Sequence, residues 1–127
     1  MKIDHIALYV ADLEATKNFF TLYFGAASNE MYHNPRTGLK SYFLTFKDGG
    51  RLEIMNRPEV IAGKKGTVAA GYSHLAFSVG DEAEVDKLTA RLEEDGYEVL
   101  SGPRRTGDGF YESCIAGPEG YQIEITV

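Results

Sequence analysis

The sequence has one cysteine, no tryptophan and no long apolar segment, and these absences exclude several classes of protein. The single thiol, Cys114, cannot form an intrachain disulfide or a CxxC redox or zinc motif, and we expect it to be a buried core residue. No apolar run approaches the ~20 residues that a membrane-spanning helix needs, and the chain begins with a strand pattern instead of a signal peptide. We therefore expect a cytoplasmic protein with no membrane partner.

Positive charge is also scarce, since 13 Lys and Arg residues against 19 Asp and Glu residues give a formal net charge of −6. Nucleic-acid partners are bound through concentrated Lys and Arg, so this balance argues against DNA or RNA. The chain has 127 residues, of which 43% are apolar, which is enough for one domain with its own core. The composition predicts a globular protein without a nucleic-acid partner.

An internal repeat is the most informative feature of the sequence. The segment Tyr72–Asp81 (YSHLAFSVGD) repeats Ile3–Asp12 (IDHIALYVAD) at a spacing of 69 residues, with His74 matching His5. Each copy alternates as a strand does and ends in an aspartate, a typical helix N-cap. Such self-similarity predicts two copies of one supersecondary module.

The elements that follow each copy have the same order. In the first half, the pattern predicts a strand over residues 2–10, a helix from Asp12 to about Phe24, and strands near 27–32, 40–46 and 51–55. In the second half, it predicts a helix from Asp81 to about Asp95 and strands near 98–100, 109–116 and 121–126. Loops are predicted between these last strands, at SGPRRTG and GPEG. The order β-α-β-β-β occurs twice. We predict a single domain over residues 1–127, with module one at about 1–57, a linker at about 58–71 and module two at about 72–127.

Two histidines and two glutamates occupy matching positions of the repeat. His5 matches His74, and Glu53 matches Glu124 at a spacing of 71 residues. Strand alternation places all four side chains opposite the large aliphatic residues, on the polar faces of the predicted sheets. Two imidazoles and two carboxylates in such a place are costly unless they are paired or bind a cation. We predict that they bind one divalent metal ion per site, Zn, Ni or Co, with Fe or Mn as further candidates.

The segments IDHIALYVADLEATKNFF, SHLAFSV and GPEGYQIEI, within paired β-α-β-β-β modules, resemble the vicinal oxygen chelate superfamily. This superfamily includes glyoxalase I, extradiol dioxygenases, fosfomycin-resistance enzymes and bleomycin-binding proteins, and the resemblance covers essentially the whole chain. It implies an α+β fold in which two tandem βαβββ modules form a half-barrel or barrel of mixed sheet with the helices outside. It also implies a homodimer, which in this superfamily commonly builds each site from both chains.

The resemblance to glyoxalase I implies specific roles for the four residues. In that enzyme the positions matching His5, Glu53, His74 and Glu124 hold the metal, and a glutamate ligand is the catalytic base, which points to Glu124 first and Glu53 second. The implied function is a metal-dependent lyase or isomerase that acts on a small α-oxo or thiol-hemithioacetal substrate through a metal-bound enediolate.

The substrate is less constrained by the sequence than the metal site. Glyoxalases commonly carry an arginine that grips glutathione just after the start of the first helix, and this chain has Ala15 and Thr16 there. The thiol that would be used therefore stays open. Arg36, Arg104 and Arg105 lie on predicted loops, and they are the candidates for binding an anionic substrate.

Three alternative functions stay open on the same scaffold. An iron(II) extradiol dioxygenase would use His5, His74 and Glu124 only, and the fourth residue, Glu53, would occupy a position that dioxygen or a catechol needs. A non-catalytic drug- or metabolite-binding protein is the second alternative, although binding members often lack the four ligands. A fosfomycin-modifying enzyme is the third.

Overall fold

The computed structural model describes residues 4–60, 74–107 and 109–127. The chain divides into two compact units, Met1–Gly63 and Lys64–Val127. The predicted linker over residues 58–71 lies mostly outside the described residues, as do the first residues of both predicted N-terminal strands. The predicted module boundaries near residues 57 and 72 therefore stay predictions.

The described residues of the first unit form one helix and a five-stranded mixed sheet. Its elements are β1 (Ile6–Tyr9), α1 (Leu13–Phe24), β2 (Ala27–Ser28), β3 (Tyr32–His33), β4 (Lys40–Thr45) and β5 (Arg51–Asn56). β1 pairs in parallel with β5, while β5, β2 and β3 each pair antiparallel with β4. The first and last strands of the unit are therefore neighbours, which brings residues from its two ends side by side.

Helix α1 begins and ends where the sequence predicts. The carboxylate of Asp12 accepts a hydrogen bond of 2.8 Å from the backbone N–H of Ala15, which satisfies an otherwise unpaired donor of the first turn. Gly25 follows the last turn with a φ of +65°, a left-handed conformation that glycine adopts without steric cost. The helix packs on β4 and β5 through its buried side chains, which are Leu13, Thr16, Phe19 and Phe20.

One face of the first sheet forms the core with α1, and the other is polar. Leu44, Leu52 and Ile54 are at most 3% exposed and lie on the helix-covered face. Their neighbours along the chain, Phe43 and Glu53, alternate to the opposite face and are only partly buried. The alternation predicted from the sequence thus separates the aliphatic core from the polar face.

The second unit repeats this arrangement with a four-stranded mixed sheet in the order β6-β9-β8-β7. Its elements are β6 (His74–Ser78), α2 (Glu82–Glu94), β7 (Val99–Arg105), β8 (Tyr111–Ala116), a 3-10 turn (Pro118–Gly120) and β9 (Gln122–Thr126). β6 pairs in parallel with β9, as β1 does with β5, and the remaining pairs are antiparallel. The α+β fold with two β-α-β-β-β units is therefore confirmed.

Helix α2 is held on its sheet by apolar packing and one buried polar contact. The carboxylate of Asp81 caps the helix by accepting a 2.9 Å hydrogen bond from the N–H of Glu84. Among the buried residues of the helix, Thr89 contacts Ser113 of β8, with 2.6 Å between the two hydroxyl oxygens. The other buried side chains are Val85 and Leu92. In the described part of the chain neither helix is long and apolar enough to cross a membrane.

The segment Ser101–Arg105 belongs to β7, so the prediction of a loop at SGPRRTG is wrong. β7 is the edge strand of its sheet, and its register with β8 shifts twice between Val99 and Arg104. An irregular edge strand tolerates Pro103, which has no N–H to donate. It also requires Gly102, because a Cβ there would lie 2.5 Å from the carbonyl oxygen of Glu112.

The single strand predicted near residues 27–32 is two short strands, β2 and β3. Asn29 lies between them and takes over the pairing with Phe43 of β4. Its backbone N–H donates to the carbonyl of Phe43 at 3.2 Å, and its side-chain oxygen accepts from the N–H of Phe43 at 2.8 Å. The side chain replaces a backbone acceptor, and this substitution interrupts the regular ladder.

Candidate metal centre

The first half of the candidate centre lies on the sheet face opposite α1. The register places Glu53 of β5 between Ala7 of β1 and Phe43 of β4, so these side chains share the polar face. His5 directly precedes β1 and continues its alternation. Its Nε2 lies 3.8 Å from Oε2 of Glu53. The first unit thus brings together the two metal ligands predicted in module one.

The second half has the same construction. Glu124 of β9 lies between Ala76 of β6 and Cys114 of β8, on the face opposite α2. His74, the first residue of β6, is on this face as well, with Nε2 at 3.5 Å from Oε2 of Glu124. The repeat therefore produces two equivalent His–Glu pairs, one in each unit.

The separations in both pairs are close to those of two ligands on one metal ion. Bonds of about 2.1 Å to a four- to six-coordinate metal place adjacent donor atoms about 3 to 3.4 Å apart. The His74–Glu124 pair, at 3.5 Å, is near this range, and the His5–Glu53 pair, at 3.8 Å, has to close by a few tenths of an ångström. Adjustments of that size lie within one rotamer well. The donor types and the separations fit a divalent cation.

Burial also distinguishes the carboxylates from the imidazoles. The side chains of Glu53 and Glu124 are 18% and 21% exposed, against 36% and 41% for His5 and His74. A carboxylate that has lost most of its water is stabilised by a nearby positive charge, which a metal ion provides. Within neither unit do the described residues gather three or more His, Cys, Asp or Glu side chains into a metal-binding group. The four-ligand site stays a prediction.

Two charged residues beside His5 were not identified from the sequence. Oδ2 of Asp4 lies 2.9 Å from Nδ1 of His5, and the guanidinium of Arg51 bonds to the same carboxylate oxygen. These hydrogen bonds, first from His5 and then from Arg51, hold the pKa of Asp4 below its ordinary value. Strict alternation would place Asp4 on the face opposite His5. The position of Asp4 just before the strand frees it from that rule, which the sequence pattern does not reveal.

Cys114 is half-buried beside Glu124, so the prediction that it is a core residue is wrong. It occupies the polar face because β8 alternates Glu112 and Cys114 outward against the fully buried Ile115. Burial, and then the negative charges of Glu124 and Glu112, raise the pKa of the Cys114 thiol. The raised pKa favours the protonated thiol, which lies beside Glu124 on the polar face.

The arginines predicted to bind substrate lie in different surroundings. Arg104 and Arg105 are strand residues, so their placement on a loop is wrong. Arg104 pairs in register with Glu112 and lies on the face of Glu124, whereas Arg105 bonds to Glu82 of α2 and therefore lies on the helix-covered face. Arg36 is exposed in a turn of the first unit. Substrate binding by these three residues stays a prediction, and only Arg104 shares a face with a His–Glu pair of its own unit.

Comparisons with known proteins extend over the whole chain. The sequence model of the Glyoxalase/Bleomycin resistance protein/Dioxygenase superfamily matches residues 2–125. The uncharacterized protein YqjT of Bacillus subtilis is 30% identical over 125 residues, which cover 95% of this chain and 94% of YqjT. The metallothiol transferase FosB of Shouchella clausii is 26% identical over 97% of this chain and 77% of its own length.

The fold comparison agrees with the sequence comparison. The crystal structure of a glyoxalase family protein from Enterococcus faecalis superposes with a TM-score of 0.82 and 26% identity, covering 99% of this chain and 97% of that one. The repeated modules, the parallel pairing of the first and last strands in each unit, and the match over residues 2–125 lead to one conclusion. This chain belongs to the Glyoxalase/Bleomycin resistance protein/Dioxygenase superfamily.

Proposed function

We propose that this chain is a metal-dependent lyase or isomerase of the glyoxalase I type, acting on a small α-oxo compound or on its hemithioacetal with a thiol. The observation that carries the proposal is the pair of equivalent His–Glu contacts, at 3.8 Å and 3.5 Å, on the polar faces of the two sheets. Membership of a superfamily that contains glyoxalases and a relative named a metallothiol transferase supports it.

The proposed metal ligands are His5, Glu53, His74 and Glu124, holding one divalent ion, Zn, Ni or Co. A bound divalent metal would supply a Lewis acid that stabilises negative charge developing on two neighbouring substrate oxygens. By analogy with glyoxalase I, Glu124 is the proposed base that takes the proton from the substrate carbon next to the carbonyl, and Glu53 is the second candidate for this base. The small side chains of Ala7 and Ala76 lie in register beside the two glutamates.

Arg104 is the proposed contact for a negatively charged part of the substrate. Its guanidinium lies 3.9 Å from the carboxylate of Glu112, and its side chain is 53% exposed. An ion pair that long and that exposed is weak, so a carboxylate or phosphonate of a substrate can compete for the guanidinium. Arg105, which is bonded to Glu82 on the other face, is not part of this proposal.

Metal binding is the first test. Metal-free protein is titrated with Zn²⁺, Ni²⁺ and Co²⁺, and we expect about one equivalent to bind, because a four-ligand site retains its ion. Glu53→Gln and Glu124→Gln should each weaken binding, whereas Glu112→Gln, a matched change on the same face as Glu124, should not. Less than about a tenth of an equivalent bound by the wild-type protein would contradict every metalloenzyme assignment.

Activity is the second test, with methylglyoxal and a panel of small thiols that includes glutathione. Loss of the catalytic base removes a contribution of about 10²- to 10⁴-fold, so Glu124→Gln should reduce turnover by that order even at saturating metal. Glu112→Gln should retain turnover. Absence of turnover with every thiol and every metal would refute the glyoxalase assignment while leaving the metal site intact.

A second candidate is metal-dependent transfer of a thiol to an electrophilic phosphonate such as fosfomycin. Two observations favour it: the 26% identity to the metallothiol transferase FosB and the location of Arg104 on the face of Glu124. Consumption of fosfomycin in the same assays, reduced by Arg104→Gln, would favour this reaction. Oxygen uptake with a catechol and Fe²⁺ would instead indicate a dioxygenase.

We also propose that the protein is a homodimer. Each of its sites would combine the His5–Glu53 pair of one chain with the His74–Glu124 pair of the other. Mixing His5→Gln and His74→Gln chains after mild dissociation tests this arrangement. Mixed dimers would contain one site with both intact pairs, so activity should return to roughly a quarter of the wild-type value. If each site forms within one chain, no mixed dimer contains an intact site and no activity returns.

A further inference from the structure

The imidazole of His5 lies among Asp4, Arg51 and Phe43, and Asp4 contacts one of its two nitrogens. Oδ2 of Asp4 lies 2.9 Å from Nδ1, and the guanidinium of Arg51 bonds to that same oxygen. The ring of Phe43 meets the imidazole edge to face at 5.2 Å between centroids. The guanidinium carbon of Arg51 lies 5.0 Å from the centre of the Phe43 ring, so Arg51 is fixed from two directions.

This arrangement determines which nitrogen of His5 carries the lone pair that can bind a metal. A neutral imidazole carries one proton, and a carboxylate at Nδ1 accepts a hydrogen bond only if that proton is on Nδ1. The lone pair is then on Nε2, the nitrogen that faces Glu53 at 3.8 Å. Carboxylates that bond to the outer nitrogen of a metal-binding histidine fix its tautomer and its orientation.

The second half of the repeat has different residues at the corresponding positions. Ser73 corresponds to Asp4 at the 69-residue spacing, and Gln122 and Cys114 correspond to Arg51 and Phe43 at the 71-residue spacing. His74 therefore has the equivalent glutamate, Glu124, without a carboxylate preceding it in the sequence. The two halves share their ligands and differ in the residues that surround the histidine.

We propose that Asp4, anchored by Arg51, is a positioning residue that fixes His5 with its proton on Nδ1, so that Nε2 is presented to a divalent metal beside Glu53. This proposal rests on the proposed metal site. It makes the His5–Glu53 pair the preorganised half of that site. The Asp4 side chain is 62% exposed, so its ion pair contributes little to stability, and its role is geometric.

The tautomer is measured first, in metal-free protein, from the long-range ¹H–¹⁵N NMR spectrum of the histidine rings at a pH where they are neutral. We expect the wild-type His5 to carry its proton on Nδ1 and Asp4→Ala to shift the proton toward Nε2. The matched control is Glu82→Ala, which removes the carboxylate partner of Arg105 on the helix-covered face of the other unit. An unchanged His5 tautomer in Asp4→Ala would overturn the proposal.

Metal affinity is measured next, by competition with a chelator of known affinity. Loss of an outer carboxylate of this kind weakens metal binding by about 10- to 100-fold, so we expect that loss for Asp4→Ala and a smaller one for Arg51→Gln. Glu82→Ala should bind metal as the wild type does. Wild-type affinity in Asp4→Ala would overturn the positioning role and leave the proposed function standing. Failure of the wild-type protein itself to bind metal would refute the proposed function. The tautomer of His5, measured in metal-free protein, would then show separately whether Asp4 orients the imidazole.

Discussion

Gly117 lies against the side chain of Ile123, the residue before Glu124. An alanine at position 117 should therefore overpack the core of the second unit. A Cβ at residue 117 would lie 2.6 Å from Cδ1 and 3.3 Å from Cγ1 of Ile123. Carbon atoms in contact are about 3.5 to 4.0 Å apart, so the overlap with Cδ1 is about 1 Å. Ile123 is fully buried, and the φ of −72° and ψ of −168° at Gly117 suit alanine, so the effect is purely steric.

We expect Gly117→Ala to lower the free energy of unfolding by about 1–3 kcal/mol, measured by urea denaturation of metal-free protein. Ile123→Val removes only the Cδ1 methyl group, and alone it should cost about 0.5–1.5 kcal/mol. In the double variant the main clash is absent, so its loss should be smaller than the sum of the two single losses. The control is Gly107→Ala, where an added Cβ meets no heavy atom of the described residues within 4 Å, its chain neighbours aside.

Additive losses in the double variant would show that Gly117→Ala acts through something other than Ile123. Wild-type stability of Gly117→Ala would contradict the close packing itself, since the side chain would then have free space to move into. A loss at Gly107→Ala as large as at Gly117→Ala would indicate a general effect of replacing glycine in this unit. Each of these three results would refute the steric explanation.

Three further predictions concern the second unit. Ser113→Ala should lower the unfolding free energy by about 1 kcal/mol in urea denaturation, because it removes the bond between the two buried hydroxyls and leaves Thr89 with its bond to the carbonyl of Val85. The carboxylate of Asp86 accepts a 2.7 Å hydrogen bond from the Tyr111 hydroxyl and raises the pKa of that phenol. The hydrogen bond therefore stabilises the fold fully below the ordinary tyrosine pKa, and this stabilisation is lost as the pH rises through the raised pKa. Asp86→Asn should therefore shift the ultraviolet titration of Tyr111, isolated by difference from Tyr111→Phe, toward lower pH. The carboxylate of Glu124 raises the pKa of the Cys114 thiol, so a cation bound to Glu124 should lower that pKa and speed the reaction of Cys114 with a maleimide. Equal rates with and without metal would contradict the location of the metal site beside Cys114.

The sequence predicts the parts of this fold that depend on periodicity and helix caps. Helix α1 follows its cap at Asp12 and ends before Gly25, and helix α2 follows Asp81, as the pattern indicates. The faces of β5 and β9 also follow from alternation, which is why the sequence alone assigns Glu53 and Glu124 to the polar faces. These features are local, so the residues that determine them are close together in the sequence.

The features that the sequence does not predict depend on pairing partners. Pro103 indicates a loop by composition, yet an edge position beside β8 allows a strand there, and only the sheet order reveals which strand is at the edge. Asn29 ends β2 because its side chain meets the backbone of Phe43, a contact between residues 14 apart. Cysteine is a residue type that is often buried in the core, yet the register of Cys114 with Glu124 places it on the polar face of the sheet.

The differences between the two halves say more about function than their similarities. Equivalent positions place the same proposed ligands, His and Glu, on both polar faces. The first half places Asp4 and Arg51, the proposed positioning residues, beside its histidine. The second half places Cys114 beside Glu124, with Arg104 on the same face. A duplicated module that keeps its ligands and changes their surroundings can assign metal anchoring to one copy and contact with the substrate to the other. That proposed division agrees with Glu124 as the proposed base, since the half that is proposed to contact the substrate is also the one that would accept its proton.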